Sequence, residues 1–301
     1  MKHKSLYADL SLILVALVWG AGFVASKESL NVAKPFYIMT IRFSLAFILM
    51  SIVFYKKLKE FSKMDFKNGF VVGLFLFLAF GSQTVGLQYT EASKQGFLTA
   101  TNVVIVPFLY WGISKKKPDI YSIGSAILCL FGISLLTLEN GLSGINTGDL
   151  LTLICAVFFA AHIVSVGYYT EKTDPIILTI FQLGFAALLS SITAIFFEPI
   201  PTDFTTRGVF ALLYLGLFST FIAFLLQNIA QKYTSSTHAA IILSTECVFG
   251  SILSFIFLKE NFTLLMGIGS ITIFCSVIIS ETKLNFLKKN KNSLSEESNS
   301  N

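Results

Sequence analysis

The sequence predicts an all-α integral membrane protein with ten transmembrane helices, arranged as two inverted five-helix repeats. Hydrophobic residues make up 54% of the 301 residues and charged residues only 13%, far from the balance of a soluble domain. Apolar runs of about 20 residues, enough to cross a ~30 Å hydrocarbon layer, recur along the whole chain. Because the bilayer core offers backbone groups no hydrogen-bond partner, each of these runs must be a helix.

The prediction of a repeat comes from sequence identities between the two halves. Residues 77–90 read FLAFGSQTVGLQYT and residues 221–234 read FIAFLLQNIAQKYT, so that six of fourteen positions are identical at a separation of 144 residues. A second set of identities is separated by 140 residues and includes Asp9 with Asp149. Five helices per copy is an odd number, so the second copy enters the membrane from the opposite side. Inverted repeats of this kind are typical of carriers that expose a central site to either side in turn.

The predicted spans divide the chain into two domains and a tail. The first five spans form the predicted domain 1–138, and the last five form the predicted domain 149–280. The segment 283–301 is rich in Asn, Ser and Glu and is predicted to be a disordered cytoplasmic tail. In chain order, the ten predicted spans are 8–26, 35–55, 69–89, 95–113, 119–138, 149–169, 175–197, 207–230, 237–258 and 262–280.

The distribution of basic residues predicts the orientation. With the N-terminus in the cytoplasm, 16 Lys and Arg residues fall on the cytoplasmic side and five on the outside, which is the positive-inside pattern. We therefore expect a multi-pass protein of the cell membrane with both termini cytoplasmic. The net charge of +5 is interpreted as an orientation signal, and no nucleic-acid partner is expected. The expected partners are the lipid bilayer and a small-molecule substrate, and an oligomer is left open.

Four sequence motifs are spread over about residues 8–280: LVWGAGF at 17–23, Arg42-Phe43, LQYTEAS at 87–93, and Glu246 followed by FGSILSFIFLKE at 249–260. Together they resemble the EamA type of the drug/metabolite transporter superfamily. The resemblance implies ten helices in two inverted five-helix repeats and the movement of small metabolites, often outward. Two loop positions depart from the family pattern: residues 115–118 read KKKP where Gly-Glu is usual, and Lys259 replaces a Gly.

Two charged residues are predicted deep inside the membrane, where polar side chains normally face the bundle interior. Glu246 lies nine residues into its predicted span, about 14 Å at ~1.5 Å per residue. It is either a carboxylate that accepts a proton or binds an amine, or a structural acid bonded to neighbouring helices. Arg42 is either a ligand for a substrate carboxylate or, as the family resemblance favours, a structural residue between helices.

The other candidates for the substrate cavity are polar or aromatic residues at similar depth. Repeat-related positions should converge on the axis between the halves, where transporter sites are expected. Hydrogen bonds between helices, worth about 0.6 kcal/mol each, are the alternative role for the polar ones. For Trp19 the alternative is a packed core aromatic, and for His162 it is a buried neutral ring in place of a proton shuttle. The full set of candidates for the cavity is Trp19, Gln83, Asn102, His162, Gln227 and Glu246.

These observations predict a secondary active carrier with alternating access that exports amino acids or related small metabolites, with H+ as a candidate coupling ion. One alternative is a proton-coupled multidrug or quaternary-ammonium exporter, although residues 10–26 lack the acid that such a carrier needs in its first helix. The other is a membrane enzyme or scaffold. The three histidines lie in different segments and no phosphate-binding loop occurs, so no catalytic residue, metal site or cofactor is predicted.

Overall fold

The computed structural model of the chain describes residues 2–115, 117, 120–138, 146–260 and 263–282. Every regular element within these ranges is a helix, which confirms the all-α prediction. The predicted tail at 283–301 lies outside the described residues.

The described part of each half contains five helical passages. Within the described ranges, eight passages are long and apolar enough to cross a membrane, and the last passage of each half, α7 or α14, contributes a shorter apolar stretch. The first half consists of α1 (Lys2–Ser29), α2 (Pro35–Val53), the short α3 (Tyr55–Leu58), α4 (Lys63–Gly86), α5 (Ala92–Ala100), α6 (Asn102–Ser114) and α7 (Ile120–Leu138). The second half consists of α8 (Thr147–Tyr169), α9 (Pro175–Phe197), α10 (Thr206–Tyr214), a π-helical segment (Leu215–Ile222), α11 (Ala223–Gln231), α12 (Ser236–Ser244), α13 (Glu246–Leu258) and α14 (Leu264–Thr282).

Local sequence signals explain where several helices begin. Pro35 and Pro175, which are repeat mates, each occupy the first turn of their helix, where the fixed backbone angle of proline fits and its missing N–H costs nothing. At the start of α8, the side chain of Asn146 accepts from the N–H of Asp149, and the Asp149 carboxylate accepts from the N–H of Asn146. This reciprocal pair satisfies two backbone donors that a helix start otherwise leaves without partners.

Two predicted spans are divided near their middle, which the hydropathy pattern did not predict. The predicted span 95–113 is divided at Thr101 into α5 and α6, and the predicted span 237–258 is divided at Thr245 into α12 and α13. At each break the threonine hydroxyl donates to the carbonyl three residues earlier, at 2.6 Å from Thr101 to Leu98 and 2.7 Å from Thr245 to Ile242. The tighter turn interrupts the regular α-helical ladder at repeat-related positions.

Contacts at the helix ends establish that the two repeats are inverted. Asp9 near the start of α1 contacts His238 near the start of α12, with 3.1 Å between Oδ1 and Nε2. The passage through α12 and α13 then ends at Glu260, whose carboxylate accepts from the first N–H of α5 at 2.8 Å. Close to that point, Lys94 pairs with Asp149 at the start of α8. The two aspartates therefore lie at opposite ends of the bundle, which we call the Asp9 end and the Asp149 end.

The two halves interlock instead of lying side by side. In the first half α1 packs against α11 and α13, and in the second half α8 packs in the equivalent way against α4 and α6. The repeat-related pairs α2 with α9 and α7 with α14 also pack on each other. Helices of both repeats therefore surround the centre of the bundle.

Close helix packing at Gly20 yields a stability prediction. A Cβ at this position would lie 2.6 Å from Cβ of Phe249 and 2.8 Å from the backbone nitrogen of Gly250, so α1 and α13 would have to separate. We expect Gly20→Ala to lower the free energy of unfolding by about 1–3 kcal/mol, as overpacking of a close contact does. The measurement is the thermal unfolding midpoint in detergent.

The matched control is Gly124→Ala, because no described atom lies within 4 Å of the Cβ that it would add. This control should unfold at or slightly above the wild-type temperature, since alanine is the better helix former. Equal midpoints for the two variants would contradict the packing argument.

Candidate functional site

All seven residues singled out from the sequence line one cavity at the centre of the bundle. The cavity has a volume of about 40 Å³. Since a water molecule needs roughly 10–15 Å³ measured in this way, the space holds about three waters and is too small for an amino acid. In this conformation the free space between the seven side chains is therefore limited to water. The seven residues are Trp19, Arg42, Gln83, Asn102, His162, Gln227 and Glu246.

Both repeats contribute equivalent positions to the cavity wall. A site lined in this way lies on the axis that relates the two halves, as expected for an inverted-repeat carrier. The repeat-related pairs on the wall are Trp19 with Phe159, Gly22 with His162, Gln83 with Gln227, and Asn102 with Glu246.

Arg42 on α2 is buried, and its side chain is hydrogen-bonded to the π-helical segment Leu215–Ile222 of the second repeat. Nε donates to Oγ1 of Thr220 at 2.9 Å and Nη2 donates to Oγ of Ser219 at 3.2 Å. The guanidinium also lies over the ring of Phe80, 4.4 Å from its centroid. These two hydrogen bonds use two of the five N–H donors of an arginine. None of the ion pairs found among the described residues involves Arg42.

The residues that hold Arg42 belong to the π-helical segment Leu215–Ile222, which the sequence analysis missed. The carbonyl of Ser219 in this segment accepts from the indole Nε1 of Trp19 at 2.8 Å. Gly22 makes room for the contact, since a Cβ there would lie 2.9 Å from Oγ of Ser219. Short π-helical segments are often found at functional sites. The sequence signal that could have revealed these residues was the polar pair Ser219-Thr220 in the middle of an apolar span.

Glu246 is the first residue of α13, directly after the break at Thr245. Only 7% of it is exposed, and within the described part of the chain its carboxyl group has neither a hydrogen-bond donor nor a cationic partner. A bare carboxylate is costly in an apolar environment. The group must therefore carry a proton, be solvated by cavity water, or bind a cation that enters the cavity.

Two amides add further acceptors to the same cavity. Nδ2 of Asn102 donates to the carbonyl of Thr99 at 2.9 Å, and Nε2 of Gln227 donates to Oε1 of Gln231 at 3.0 Å. The carbonyl oxygens of both side chains, Oδ1 of Asn102 and Oε1 of Gln227, are buried and have no partner among the described residues. These oxygens are available to a donor on water or on cargo.

Hydrogen bonds fix the position of two other candidates. Nε2 of Gln83 donates to Oγ1 of Thr99 at 3.3 Å. The ring of His162 is 1% exposed, and its Nε2 lies 3.1 Å from Oε1 of Gln182, the repeat mate of Arg42. If the amide oxygen is the acceptor, the His162 Nε2 carries the hydrogen. This is the arrangement expected of a packed, hydrogen-bonded histidine.

Repeat-related ion pairs lie at the two ends of the bundle, and they differ in burial. At the Asp149 end, Nζ of Lys94 lies 2.8 Å from Oδ2 of Asp149, and the two side chains are 5% and 0% exposed. At the Asp9 end, His238 occupies the position equivalent to Lys94, and the side chains of His238 and Asp9 are 41% and 30% exposed. The ion pair at the Asp149 end is therefore the more deeply buried of the two.

The sequence analysis noted the two aspartates only as an identity between the repeats and did not predict their partners. The signal for their partners was present, because Lys94 and His238 are separated by the same 144 residues as the repeat in residues 77–90 and 221–234. A second ion pair at the Asp9 end, Lys57 with Asp174, lies at the surface. Partial burial acts to raise the pKa of the Asp174 carboxyl, but hydrogen bonds from Lys57 and from the N–H of Ile176 outweigh it and hold the pKa below its ordinary value.

Comparison with known proteins identifies the family. The sequence model of the EamA-like transporter family matches residues 6–138 and, a second time, residues 146–282. The chain belongs to the EamA-like transporter family. An "Uncharacterized transporter" from Archaeoglobus fulgidus is 39% identical over 276 residues, which cover 92% of this chain and 86% of the relative. The "Uncharacterized transporter YoaV" of Bacillus subtilis is 22% identical, covering 90% of this chain and 95% of that protein.

One solved structure, named only "Crystal structure of protein", resembles this EamA-like protein with a TM-score of 0.70, covering 93% of this chain and 98% of the other. At 16% identity this likeness supports the fold alone. Membership of the family confirms the resemblance inferred from the motifs, and this multi-pass membrane protein is a transporter. The roles of the seven cavity residues and the boundaries of the two repeat domains stay predictions.

The buried ion pair at the Asp149 end yields a second stability prediction. Lys94→Met leaves the Asp149 carboxylate buried without its cation, which typically costs about 3–5 kcal/mol. The double variant Lys94→Met with Asp149→Asn should recover much of this loss, because no uncompensated charge stays buried. Thermal unfolding of the purified single and double variants of the EamA-like protein measures both effects.

The control is Asp9→Asn at the opposite end, where the partly exposed pair should contribute at most about 1 kcal/mol. If the single variants at the two ends lost equal stability, or if the double variant were no better than Lys94→Met, the difference in burial would have no energetic consequence.

Proposed function

We propose that this EamA-like transporter is a secondary active carrier that works by alternating access and exports amino acids or related small metabolites across the cell membrane. The observation that supports the proposal most directly is the small central cavity, whose polar lining comes from both repeats. Its position between two repeat-related ion pairs of unequal burial is what a carrier with two alternating gates requires.

The inverted repeat supplies the mechanism of the exchange. In the described conformation the Asp149 end is held by the buried pair Lys94–Asp149 and by the Glu260 carboxylate on the start of α5. When the two halves exchange conformations, the equivalent pair Asp9–His238 becomes the buried one and the Asp149 end opens. Cargo enters only in a conformation with a wider cavity, because the space of about 40 Å³ in this one admits only water.

We place the Asp9 end in the cytoplasm. The loop between α2 and α4 and the loop between α6 and α7 lie at this end and are rich in lysine, as the positive-inside pattern requires of cytoplasmic loops. In this orientation the more deeply buried ion pair faces the outside, and the partly exposed pair faces the compartment from which an exporter takes its cargo.

We propose H+ as the coupling ion, with Glu246 as the group that binds it. The Glu246 carboxyl, which has no protein partner, binds either a proton or a cationic group of the cargo, and it cannot bind both at once. Because proton and cargo compete for the same group, the outward movement of cargo is coupled to the inward movement of protons. The other ionisable groups on the cavity wall are Arg42 and His162, and the thiols of Cys155 on α8 and Cys247 lie near the carboxyl.

A proton-coupled exporter of multidrug or quaternary-ammonium cargo is the second candidate function. Three phenylalanines line the cavity, Phe23, Phe80 and Phe159, and aromatic faces bind quaternary ammonium groups. A membrane enzyme or scaffold is the other alternative. We propose transport without catalysis, because the family model that matches both halves of the chain is one of transporters.

The orientation can be tested by labelling single cysteines in a variant from which the four native cysteines have been removed. Glu60→Cys lies in an exposed loop at the Asp9 end, and Asp203→Cys lies in an exposed loop at the Asp149 end. In intact cells, a membrane-impermeant maleimide should label the cysteine at 203 and should reach the cysteine at 60 only after permeabilisation. Labelling of both positions from the same side would refute the inverted topology, and the reverse pattern would refute the orientation.

The coupling can be tested by efflux from proteoliposomes preloaded with a labelled mixture of amino acids and nucleosides. An acidic exterior should accelerate efflux through the wild-type protein, because protons that bind Glu246 from outside displace cargo. Glu246→Gln should abolish this response to the pH gradient. The matched control is Asp203→Asn, which neutralises an exposed carboxyl far from the cavity and should behave like the wild type.

An unchanged response of Glu246→Gln to the gradient would remove this residue from the coupling step. Absence of protein-dependent efflux or exchange for every compound of the mixture would contradict the carrier function itself.

A further inference from the structure

The π-helical segment lies where the second repeat has one residue more than the first. Residues 73–80 of α4 read GLFLFLAF, and residues 216–224 read GLFSTFIAF. Equivalent residues are 143 positions apart before the difference and 144 positions apart after it. Where the first repeat has Leu76 alone, the second has Ser219 and Thr220. The second repeat therefore carries a one-residue insertion in the middle of a membrane-spanning passage.

Helix packing supports this alignment on the side before the insertion. A Cβ on Gly73 would lie 2.8 Å from Cβ of Phe185, and a Cβ on Gly216 would lie 2.6 Å from Cδ2 of Leu45. The two glycines are 143 residues apart, and their partners Phe185 and Leu45 are repeat mates on α9 and α2. Equivalent glycines thus make equivalent contacts.

The backbone absorbs the inserted residue locally. The passage of the first repeat is α-helical from Lys63 to Gly86, whereas the second repeat forms the π-helical segment Leu215–Ile222 around the insertion. A π-helical turn holds more residues than an α-helical turn, so it accommodates the extra residue without turning the rest of the helix. Beyond the insertion, Gln83 and its mate Gln227 accordingly line the same cavity.

The two residues at the insertion bind two residues of the cavity wall. Ser219 and Thr220 are 2% and 0% exposed. Their hydroxyls accept from Arg42 at 3.2 Å and 2.9 Å, respectively, and the carbonyl of Ser219 accepts from the indole of Trp19 at 2.8 Å. Leu76, which stands at this point in the first repeat, has no polar side-chain atom to offer.

The insertion occurs opposite a buried cation and is absent opposite a neutral residue. The passage with the insertion packs on α2, which carries Arg42, and the passage with Leu76 packs on α9, which carries the repeat mate Gln182. A buried charge without hydrogen-bond partners is far more costly than a buried amide. Only one of the two repeats therefore needs additional hydroxyls at this position.

We propose that the insertion at Ser219-Thr220 is a positioning element, which holds the Arg42 guanidinium through two hydroxyls and the Trp19 indole through a freed carbonyl. The charge of Arg42 is what makes the insertion necessary. This inference goes beyond the carrier function and is independent of the identity of any cargo.

The first experiment is a double-mutant cycle. Ser219→Leu with Thr220 deleted, which we call the shortened variant, gives the passage the length and the residue of α4. It leaves Arg42 buried without its two hydrogen bonds, so the thermal unfolding midpoint in detergent should fall by roughly 5–10 °C. Adding Arg42→Gln to the shortened variant should recover at least half of this loss, because no charge is then left without a partner.

Two controls separate the insertion from its hydroxyls. Deleting Leu76 from α4, which has no extra residue, turns one end of that helix by about 100° relative to the other. This deletion should destabilise the protein far more than the shortening does, and Arg42→Gln should not rescue it. Ser219→Ala with Thr220→Val keeps the length and removes only the hydroxyls, so it should lower the midpoint in the presence of Arg42 and much less with Arg42→Gln.

The second experiment observes Trp19 directly. The chain has two tryptophans, so Trp111→Phe leaves Trp19 as the only one. With isotopically labelled tryptophan, the indole N–H proton resonance should move upfield in the shortened variant, because its acceptor carbonyl is lost. Arg42→Gln alone should leave this resonance in place. A loss of stability by itself would not move the resonance of the folded protein.

Three results would overturn the positioning role. The first is an equal loss of stability with Arg42 and with Arg42→Gln, in the shortened and in the length-preserving variant. The second is a failure of the shortened variant to fold both with and without Arg42→Gln. The third is an unchanged Trp19 resonance in a shortened variant that folds. Because no cargo is used, these results would count against the positioning role and not against the carrier function.

Discussion

A charged or polar side chain inside a bilayer must find its partner within the protein, and this constraint determines how the molecule is organised. Lys94 lies in a helix that crosses the membrane and is paired with Asp149 at 2.8 Å. Arg42, which has no carboxylate partner in the described structure, is bonded to two hydroxyls and covered by an aromatic ring. Two of the buried polar atoms that have no partner among the described residues, Oδ1 of Asn102 and Oε1 of Gln227, belong to side chains that line the central cavity. Because leaving such atoms unpaired is costly, these two are the ones that water or cargo in the cavity would stabilise.

The two repeats supply the same scaffold but different chemistry. The arginine of the first repeat corresponds to a glutamine in the second, Gln182, and the glutamate of the second corresponds to an asparagine in the first, Asn102. Likewise, Gly22 leaves space for Ser219, whereas its repeat mate His162 contacts Gln182. Duplication explains why the polar groups lie at matching depths on both sides of the axis. Divergence between the copies then places Arg42 and Glu246, two residues of opposite charge, in the same site. Two identical copies in a symmetric dimer would instead supply the same charged residue twice.

The sequence was sufficient to predict the all-α membrane fold, the inverted repeat and the set of residues that meet at the cavity. Hydropathy over a window of about 20 residues reports that a segment can cross the membrane. It does not report the hydrogen bonds within the segment, so the breaks at Thr101 and Thr245 and the π-helical segment Leu215–Ile222 were missed. The ion pair of Lys94 with Asp149 joins helices that are distant in sequence, and only the packing of α5 on α8 brings them together. The volume of the cavity depends on how tightly those helices pack, which no pattern in the sequence encodes.

The difference in burial between the two repeat-related pairs bears on how the proposed alternating access would work. In such a carrier one pair breaks as the other forms, so the two states must be similar in free energy. The Lys94–Asp149 pair is nearly excluded from solvent, whereas the Asp9–His238 pair is partly exposed, and solvent weakens the attraction between exposed charges. Without cargo, this inequality favours the conformation in which the Lys94–Asp149 pair is intact, as in the structure, and cargo binding must supply the differential contacts that reverse it.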